Sequence, residues 1–247
     1  MKIITWNVNG FRSILRQDKF QQILDLKPDF VCFQEIKMNE ELIEASGYHV
    51  YYNFATRRKG YSGVATLTRE QPINIETEIG DAEFDSEGRF LLLEFKDLVL
   101  INLYVVNGGR DINAIPYKLK TLDMLIKRFE KIKNKNVVIC TDFNIAHDER
   151  DVFNYKNNYE NVMFTPAERA RVDKLLSVGY KDVFRMNSDD NRTYSWWPYM
   201  YNSRERNVGW RIDYIFVSDI FYKDSFNVEY LKGYMGSDHA PVKLETK

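Results

Sequence analysis

A chain of 247 residues with 44% apolar and 15% aromatic residues can bury a substantial core, and its 29% charged content is that of a globular protein rather than a disordered one. Its formal net charge of −1 excludes whole-molecule attraction to polyanions, so any affinity for phosphate has to come from local patches. No apolar run reaches transmembrane length, and Asn7 and Asn9 interrupt the opening stretch before a signal sequence could form; a cytoplasmic protein without a membrane partner is expected.

The first predicted element is Lys2–Trp6, an apolar, β-branched run of strand length. Phe11–Leu26 follows with a weak helical pattern that ends before Pro28. Phe30–Phe33 and Leu98–Leu103 are further strands, and Ser62–Thr68 and Arg89–Phe95 also read as extended. In Tyr117–Lys133 the residues Leu122, Leu125, Ile126, Phe129 and Ile132 recur at helical spacing. Val137–Cys140 is a strand. Thr165-Pro166-Ala167-Glu168 forms a capping box with proline at the first helical position, so a helix should run to Val178 and stop at Gly179. Ile212–Val217 and Val242–Leu244 close the series. Strands interleaved with helices predict an α/β or α+β domain. With 6 prolines scattered singly, no linker tract and no repeat, one domain over residues 1–247 is expected. The 2 cysteines, Cys32 and Cys140, lie inside apolar runs. They read as buried thiols in a reducing compartment, with a core disulfide as the alternative; neither has a partner at zinc-site spacing.

Four of the strands run into polar residues that a core strand does not need: Asn7, Gln34-Glu35, Tyr104, and Asp142-Phe143-Asn144. Ligand sites in α/β sheets gather at strand ends. Asp213 opens a strand, and Asp238-His239 precede the last one. If those two strands run antiparallel to the others, all six groups meet at one edge of the core. The set is rich in oxygen donors and has a single histidine, which suits Mg2+, Mn2+ or Ca2+ rather than zinc. Crowded carboxylates call for a cation. A bound metal acidifies water and polarises a P–O bond. A remaining carboxylate can orient or deprotonate the attacking water, and an aspartate-held histidine can stabilise charge on phosphate. Taken singly, each residue has an ordinary reading: Asp and Asn close turns, and Tyr104 can be a core aromatic. His49 and His147 are read as structural. The chain lacks a Gly-rich phosphate loop and a Gly-x-Ser-x-Gly elbow, which argues against NTP-driven and serine-hydrolase chemistry.

Six stretches, in this order, carry a family resemblance: Ile4–Gly10, Gln34–Lys37, Gly60–Val64, Thr141–Asn144, Asn207–Tyr214 and Gly236–Pro241. Together they resemble the motifs of the exonuclease III family of abasic-site endonucleases, within the endonuclease/exonuclease/phosphatase superfamily. The resemblance spans nearly the whole chain. It implies a four-layer α/β sandwich with two mixed sheets packed face to face and flanked by helices. It also implies Mg2+-dependent hydrolysis, with Mn2+ as a substitute, on the 5′ side of an abasic site in double-stranded DNA by a monomeric enzyme. The products would be a 3′-hydroxyl and a 5′-deoxyribose phosphate, with 3′→5′ exonuclease and 3′-end-cleaning activity besides. By matching motif, Glu35 would be the main metal ligand, supported by Asn7, with Asn9 and Asp238 as further contacts. Asp142 would orient or deprotonate the nucleophilic water, and Asn144 would position it. Asp213 would hold His239 against the scissile phosphate, and Tyr104 and Asn107 would lie nearby. The chain departs from the family at Thr141, where glycine is common, at Val106, where proline is frequent, and at Asn9, where some members have aspartate.

Arg57-Arg58-Lys59-Gly60-Tyr61 sets three cations beside an aromatic, and Arg204, Arg206 and Arg211 form a second basic group near Trp196, Trp197 and Trp210. Such groups position a phosphate backbone and wedge a base stack; the ordinary alternative is a solvated loop. Arg12, Arg58, Lys59, Tyr61, Asn107, Trp210 and Arg211 are the expected substrate contacts. Trp210 matches a family residue that lines the abasic-sugar pocket. An abasic nucleotide lacks base stacking and is cheap to flip outward. The competing readings are a phosphodiesterase on another phosphate ester and an inactive DNA-binding scaffold. Loops around Tyr117, Asn154–Met163 and Trp196–Arg206 are expected to set the balance of endonuclease and exonuclease action.

Overall fold

Alternation of side chains along the strands organises the molecule. The computed structural model describes residues 1–41, 43–109 and 112–246, the side chain of residue 112 excepted. One mixed sheet contains β1 (Lys2–Asn7), β2 (Phe30–Gln34), β3 (His49–Asn53), β4 (Val64–Thr68), β11 (Asn227–Tyr230) and β12 (Val242–Glu245). Its spatial order is β11-β12-β1-β2-β4-β3. The other contains β5 (Asn74–Glu76), β6 (Phe90–Glu94), β7 (Val99–Tyr104), β8 (Val137–Asp142), β9 (Tyr180–Asp182) and β10 (Asp213–Ser218), in the order β5-β6-β7-β8-β10-β9. The helices are α1 (Phe11–Arg16), α2 (Lys19–Leu24), α3 (Ala82–Asp85), α4 (Ile115–Ile132), α5 (Pro166–Ser177) and α6 (Val183–Asn187).

Three apolar clusters fill the spaces between four layers. Ile3, Cys32, Leu100, Val138, Cys140, Ile215 and Val242 meet between the two sheets. Ile4, Trp6, Val31 and Phe33 point the other way, toward Phe11 and Ile14 of α1 and Phe20 and Ile23 of α2. On the far side, Ile101, Leu103 and Ile139 pack on Leu122, Leu125, Ile126 and Phe129 of α4 and on Val172 and Leu175 of α5. The central strands β1, β2, β4, β6, β7, β8 and β10 are buried on both faces, which explains why they read as continuous apolar runs. This is the expected four-layer sandwich. Cys32 and Cys140 are buried, free thiols.

The expected helix over Phe11–Leu26 is two helices. Asp18 adopts left-handed backbone (φ 54°) between them, and the bend brings Phe11 and Phe20 to 5.2 Å in an edge contact. The Thr165 capping box forms as expected: Glu168 N reaches the Thr165 hydroxyl, and Glu168 Oε2 accepts from Thr165 N at 3.2 Å. Strands β3, β5, β9 and β11 were not legible. They are short or half-exposed edge segments whose alternation is weak.

Arg211 does not face a substrate. Its guanidinium is fully buried, gives two bonds to Asp151 (2.7 and 2.9 Å) and one to Asp182 (2.7 Å), and lies 4.4 Å from the Tyr214 ring. Arg185 also pairs with Asp151. The expectation that Arg211 binds substrate is therefore corrected: every face of it is spent on protein. The network holds the start of β10 to β9 and to the 149–151 turn.

Removing one partner of such a buried network leaves an uncompensated charge. Asp151→Asn should lower the unfolding free energy by about 3–5 kcal/mol, measured by urea unfolding at neutral pH. Burial works to raise the pKa of Asp151, but Arg211 and Arg185 outweigh it and hold the carboxyl below its ordinary range. Its contribution is thus complete at neutral pH and is lost as the pH falls through the folded-state value. The stability gap between the wild type and Asp151→Asn should narrow in acid and stay constant toward alkali.

Candidate active site

Strand parity delivers the polar residues to one place. Ile3 faces the inter-sheet space, so Asn7 does too; Leu100 does, so Asn102 and Tyr104 do; Cys140 does, so Asp142 does. Strand β10 runs antiparallel to β8 with Asp213 opposite Asp142, and β7 runs parallel to β8 with Tyr104 opposite Asp142. Strand β12 runs antiparallel to β1 with Val242 opposite Thr5, which carries the preceding Asp238-His239 to the same end. The antiparallel arrangement that the convergence required is present.

Beneath the site the inter-sheet space is polar and locked. Gln34 Nε2 donates to Thr5 Oγ1 (2.9 Å) and to Asn102 Oδ1 (2.7 Å). Asn102 Nδ2 in turn reaches the Ala65 carbonyl (2.9 Å) on the opposite sheet. Above these bonds, Asn7 Nδ2 donates to Glu35 Oε1 (3.0 Å) and to Asp142 Oδ2 (2.8 Å). Tyr104 donates its hydroxyl to Glu35 Oε1 at 2.6 Å. Asp142 Oδ1 accepts from the Asn144 backbone N–H (2.9 Å). His239 Nδ1 lies 2.9 Å from Asp213 Oδ2, and its Nε2 faces Asp142 Oδ2 across 3.9 Å. Asp238 accepts from Asn9 Nδ2 (2.9 Å) and from Trp196 Nε1 (3.1 Å). Glu35, Asn9, Asn144, Asp238 and His239 all line one cleft of about 450 Å³.

Sharp turns aim these groups. Asn9, Glu35, Lys37 and Asn144 all have positive φ, between 46° and 51°. For a glutamate this costs about 1–2 kcal/mol, and such strain gathers at functional sites. Backbone bonds from Gly10 N to Glu35 O (2.8 Å) and from Phe11 N to Ile36 O (2.9 Å) hold the Glu35 turn.

The electrostatics follow from burial and partners. Burial would raise the Glu35 pKa, but Lys37, Asn7 and Tyr104 outweigh it and hold the carboxyl low. Asp142 is pushed up, first by burial and then by the facing Asp213, against His239 and Asn7. Burial opposes charge on His239, yet Asp213 and Asp142 raise its pKa to about 10. His239 therefore stays an imidazolium at neutral pH. Asp142, Asp213 and His239 each bring one ligand-type atom within 4.8 Å of the others. The Asp213–His239 bond engages the facing atoms of that pair. Glu35 Oε2 holds the Lys37 ammonium at 2.9 Å, and the same ammonium touches Asn9 Oδ1. A cleft that gathers a cation between Glu35 and Asn9 from its own chain has the donor set for a hard metal ion.

Of the expected substrate contacts, Asn107 lines the cleft. Arg58 and Lys59 are exposed on a loop packed against the Glu35 turn, where Lys37 N reaches Ser62 O (2.9 Å). Tyr61 lies between Arg58 and Arg89, 5.0 and 5.8 Å from its ring. Arg12 is exposed and pairs with Glu40. Trp210 packs on Phe164 behind Trp196 and Met163, and it is Trp196 and Met163 that reach the cleft wall. His147 is paired with Asp173 (2.7 Å). Sequence reasoning missed Lys118. This residue is fully buried and donates to the Asn144 carbonyl (2.7 Å) and to Glu168 (2.6 Å), so the α5 capping box braces the turn after Asp142. A signal existed: Lys118 lies four and seven residues before Leu122 and Leu125, on the apolar stripe of α4.

Residues 4–239 match the model of the Endonuclease/Exonuclease/phosphatase family. The chain is 37% identical to an exodeoxyribonuclease of Bacillus subtilis, over 99% of this chain and 98% of that one. It is 36% identical to a DNA-(apurinic or apyrimidinic site) endonuclease of Dictyostelium discoideum, over 98% of this chain and 69% of that one. Among solved structures it is similar to a 3′ phosphatase from Neisseria bound to a product DNA hairpin. That likeness has a TM-score of 0.90 and 28% identity, and it covers 100% of this chain and 99% of the other.

The Asp213–His239 pair sets the charge of the imidazole, and this can be measured directly. In Asp213→Asn the largest favourable charge is gone while burial remains, so the His239 pKa should fall by about 1–3 pH units. Imidazole 15N shifts followed across a pH titration read this; an unchanged titration would remove Asp213 as the partner.

Proposed function

Because the chain belongs to the endonuclease/exonuclease/phosphatase family, we propose that it is a Mg2+-dependent DNA-repair phosphodiesterase that cuts 5′ to abasic sites in duplex DNA. The products are a 3′-hydroxyl and a 5′-deoxyribose phosphate, and the same site trims 3′ ends. The observation that carries this reading is the gap between Asp142 Oδ2 and His239 Nε2, with His239 charged and held by Asp213. A phosphate needs both a group to take a proton from the attacking water and a group to balance the charge that builds on its oxygens. Asp142, with its raised proton affinity, serves the water, and Asn144 holds it in line. The His239 imidazolium faces the phosphate. Tyr104 keeps its proton, because burial and Glu35 raise its pKa, and so it acts as a donor. Glu35, with Asn7, Asn9 and Asp238 around it, would hold Mg2+, which supplies further charge neutralisation at the phosphate; Mn2+ would substitute.

Duplex DNA fits the surroundings of the cleft. Arg57, Arg58 and Lys59 are exposed on one side to meet a phosphate backbone. On the other side, Tyr199, Met200 and Tyr201 stand 73%, 54% and 80% exposed beside the cleft residues Trp196 and Pro198. Solvent-exposed apolar side chains next to a cleft suit a base stack better than they suit water. An abasic nucleotide is the cheapest to turn out of that stack. An inactive scaffold has no use for this many buried, mutually bonded polar groups. The helices give no candidate membrane span among the described residues, and a monomer working in the cytoplasm completes the reading.

The test is a duplex with one abasic site, incubated with Mg2+ or with chelator. Cleavage should occur with Mg2+ and stop with chelator. Asp142→Asn and His239→Ala should each slow it by at least about 100-fold. Chelator-resistant cleavage, or full activity in Asp142→Asn, would overturn the assignment.

A further inference from the structure

By sequence, Arg204 is one of a run of cations suited to a phosphate backbone. Its geometry is different. Nη1 donates to the Ser237 carbonyl (2.8 Å), and Nη2 donates to the carbonyls of Tyr234 (2.7 Å) and Lys232 (3.1 Å). The guanidinium lies 4.7 Å from the Trp197 ring. Its two terminal nitrogens are thus committed to protein, and the segment they hold ends in Asp238 and His239.

Among the described residues, the other hydrogen bonds of residues 232–236, the stretch leading into that segment's end, stay within their own turn. Residues 231–241 form no helix or strand. Among the described residues, the three carbonyls accept hydrogen bonds from Arg204 alone. The end of the segment, Ser237–Ala240, is also held from the neighbouring loop, by Trp197 N to Asp238 O (3.0 Å), Ala240 N to Ser195 O (2.7 Å) and the Trp196 indole to the Asp238 carboxylate. It is held too from the ends of β1 and β10, by Ser237 Oγ to Asn7 O (2.8 Å), Trp6 Nε1 to His239 O (3.0 Å), Asn9 Nδ2 to Asp238 and His239 to Asp213. Gly209 is required behind this loop, because a Cβ there would sit 2.5 Å from the Trp197 ring. Arg204 also follows the exposed Tyr199–Tyr201 tip by three residues, so one side chain joins the loop beside the cleft to the catalytic turn.

We infer that Arg204 is a positioning residue that sets Asp238 and His239 in register with the loop carrying Tyr199–Tyr201, and that it makes no contact with DNA phosphate. The planar fork is essential, since it reaches carbonyls in two directions at once, which an ammonium on a flexible stem does not do. Displacing a catalytic group by about 1 Å can cost on the order of 100-fold in rate. The inference rests on the phosphodiesterase reading above for its kinetic arm only.

Arg204→Met keeps the apolar stem on Trp197 and deletes the fork; Arg204→Lys keeps the charge. Single-turnover cleavage of the abasic duplex with Mg2+, equilibrium binding of the same duplex in chelator, melting temperature and amide hydrogen exchange are measured for both. Arg204→Met should lower the single-turnover rate by roughly 30–100-fold and leave binding within about 3-fold. Exchange should rise in residues 196–206 and 232–240 and nowhere else. Arg204→Lys should recover part of the rate. An unchanged rate with weakened binding would make Arg204 a phosphate contact. Faster exchange across the whole chain with a collapsed melting temperature in both variants would make it merely structural. If the wild type fails to cut the duplex, the phosphodiesterase reading falls by itself; unaltered exchange at 232–240 in Arg204→Met would still overturn the positioning role.

Discussion

Glu35, Asp142 and Asp213 share one end of the space between two sheets, and three carboxylates there repel one another. Burial alone would drive protons onto Glu35 and Asp142. What holds the set together is that each carboxylate is matched by a donor from elsewhere in the fold. Asn7 of β1 spans Glu35 and Asp142, Tyr104 of β7 reaches Glu35, and His239 before β12 serves both Asp213 and Asp142. Members of the network come from both sheets, so the sheets cannot slide on one another without breaking it. The Gln34–Asn102–Ala65 bonds just beneath supply a directional lock that apolar packing between the sheets does not.

The turns that follow the strands carry the cost of this arrangement. Glu35 in left-handed backbone is unfavourable in isolation, and it persists because the flanking amides bond across to it. Asn144 is held in the same way from two sides. Its amide N–H binds Asp142, its side chain donates to Val105 O, and its carbonyl takes the Lys118 ammonium. Asp142 and Asn144 are thereby one rigid unit.

Much of this was legible in the sequence because it depends on a period of two. Polar residues at the ends of apolar runs announce themselves, and parity then places Asn7, Tyr104, Asp142 and Asp213 on one face. What could not be read depends on burial, which charge does not report. Arg211 and Arg204 look like their exposed neighbour Arg206, yet one lies in a salt-bridge network and the other on backbone carbonyls. The break at Asp18 was hidden because aspartate tolerates helix interiors and left-handed turns alike. Trp196 and Trp210 are separable only by their packing, since both belong to one small cluster and only the first reaches the cleft.

The cations behind the site, buried Lys118 and half-buried Arg204, raise a question of energetics. An ion pair such as Lys118–Glu168 is seldom more stable than a well-packed apolar pair of the same volume. Stability alone thus gives no reason to keep it. What a leucine in place of Lys118 could not do is hold the Asn144 carbonyl, and a methionine in place of Arg204 could not hold three carbonyls before His239. Both cations act where the chain has left its ladders, on carbonyls that accept from no backbone N–H among the described residues. Asn7, Tyr104, Asp142 and Asp213 sit on strand ends that the sheets position directly. The turns between those ends need directional anchors, and a cationic side chain supplies one where no backbone N–H among the described residues does.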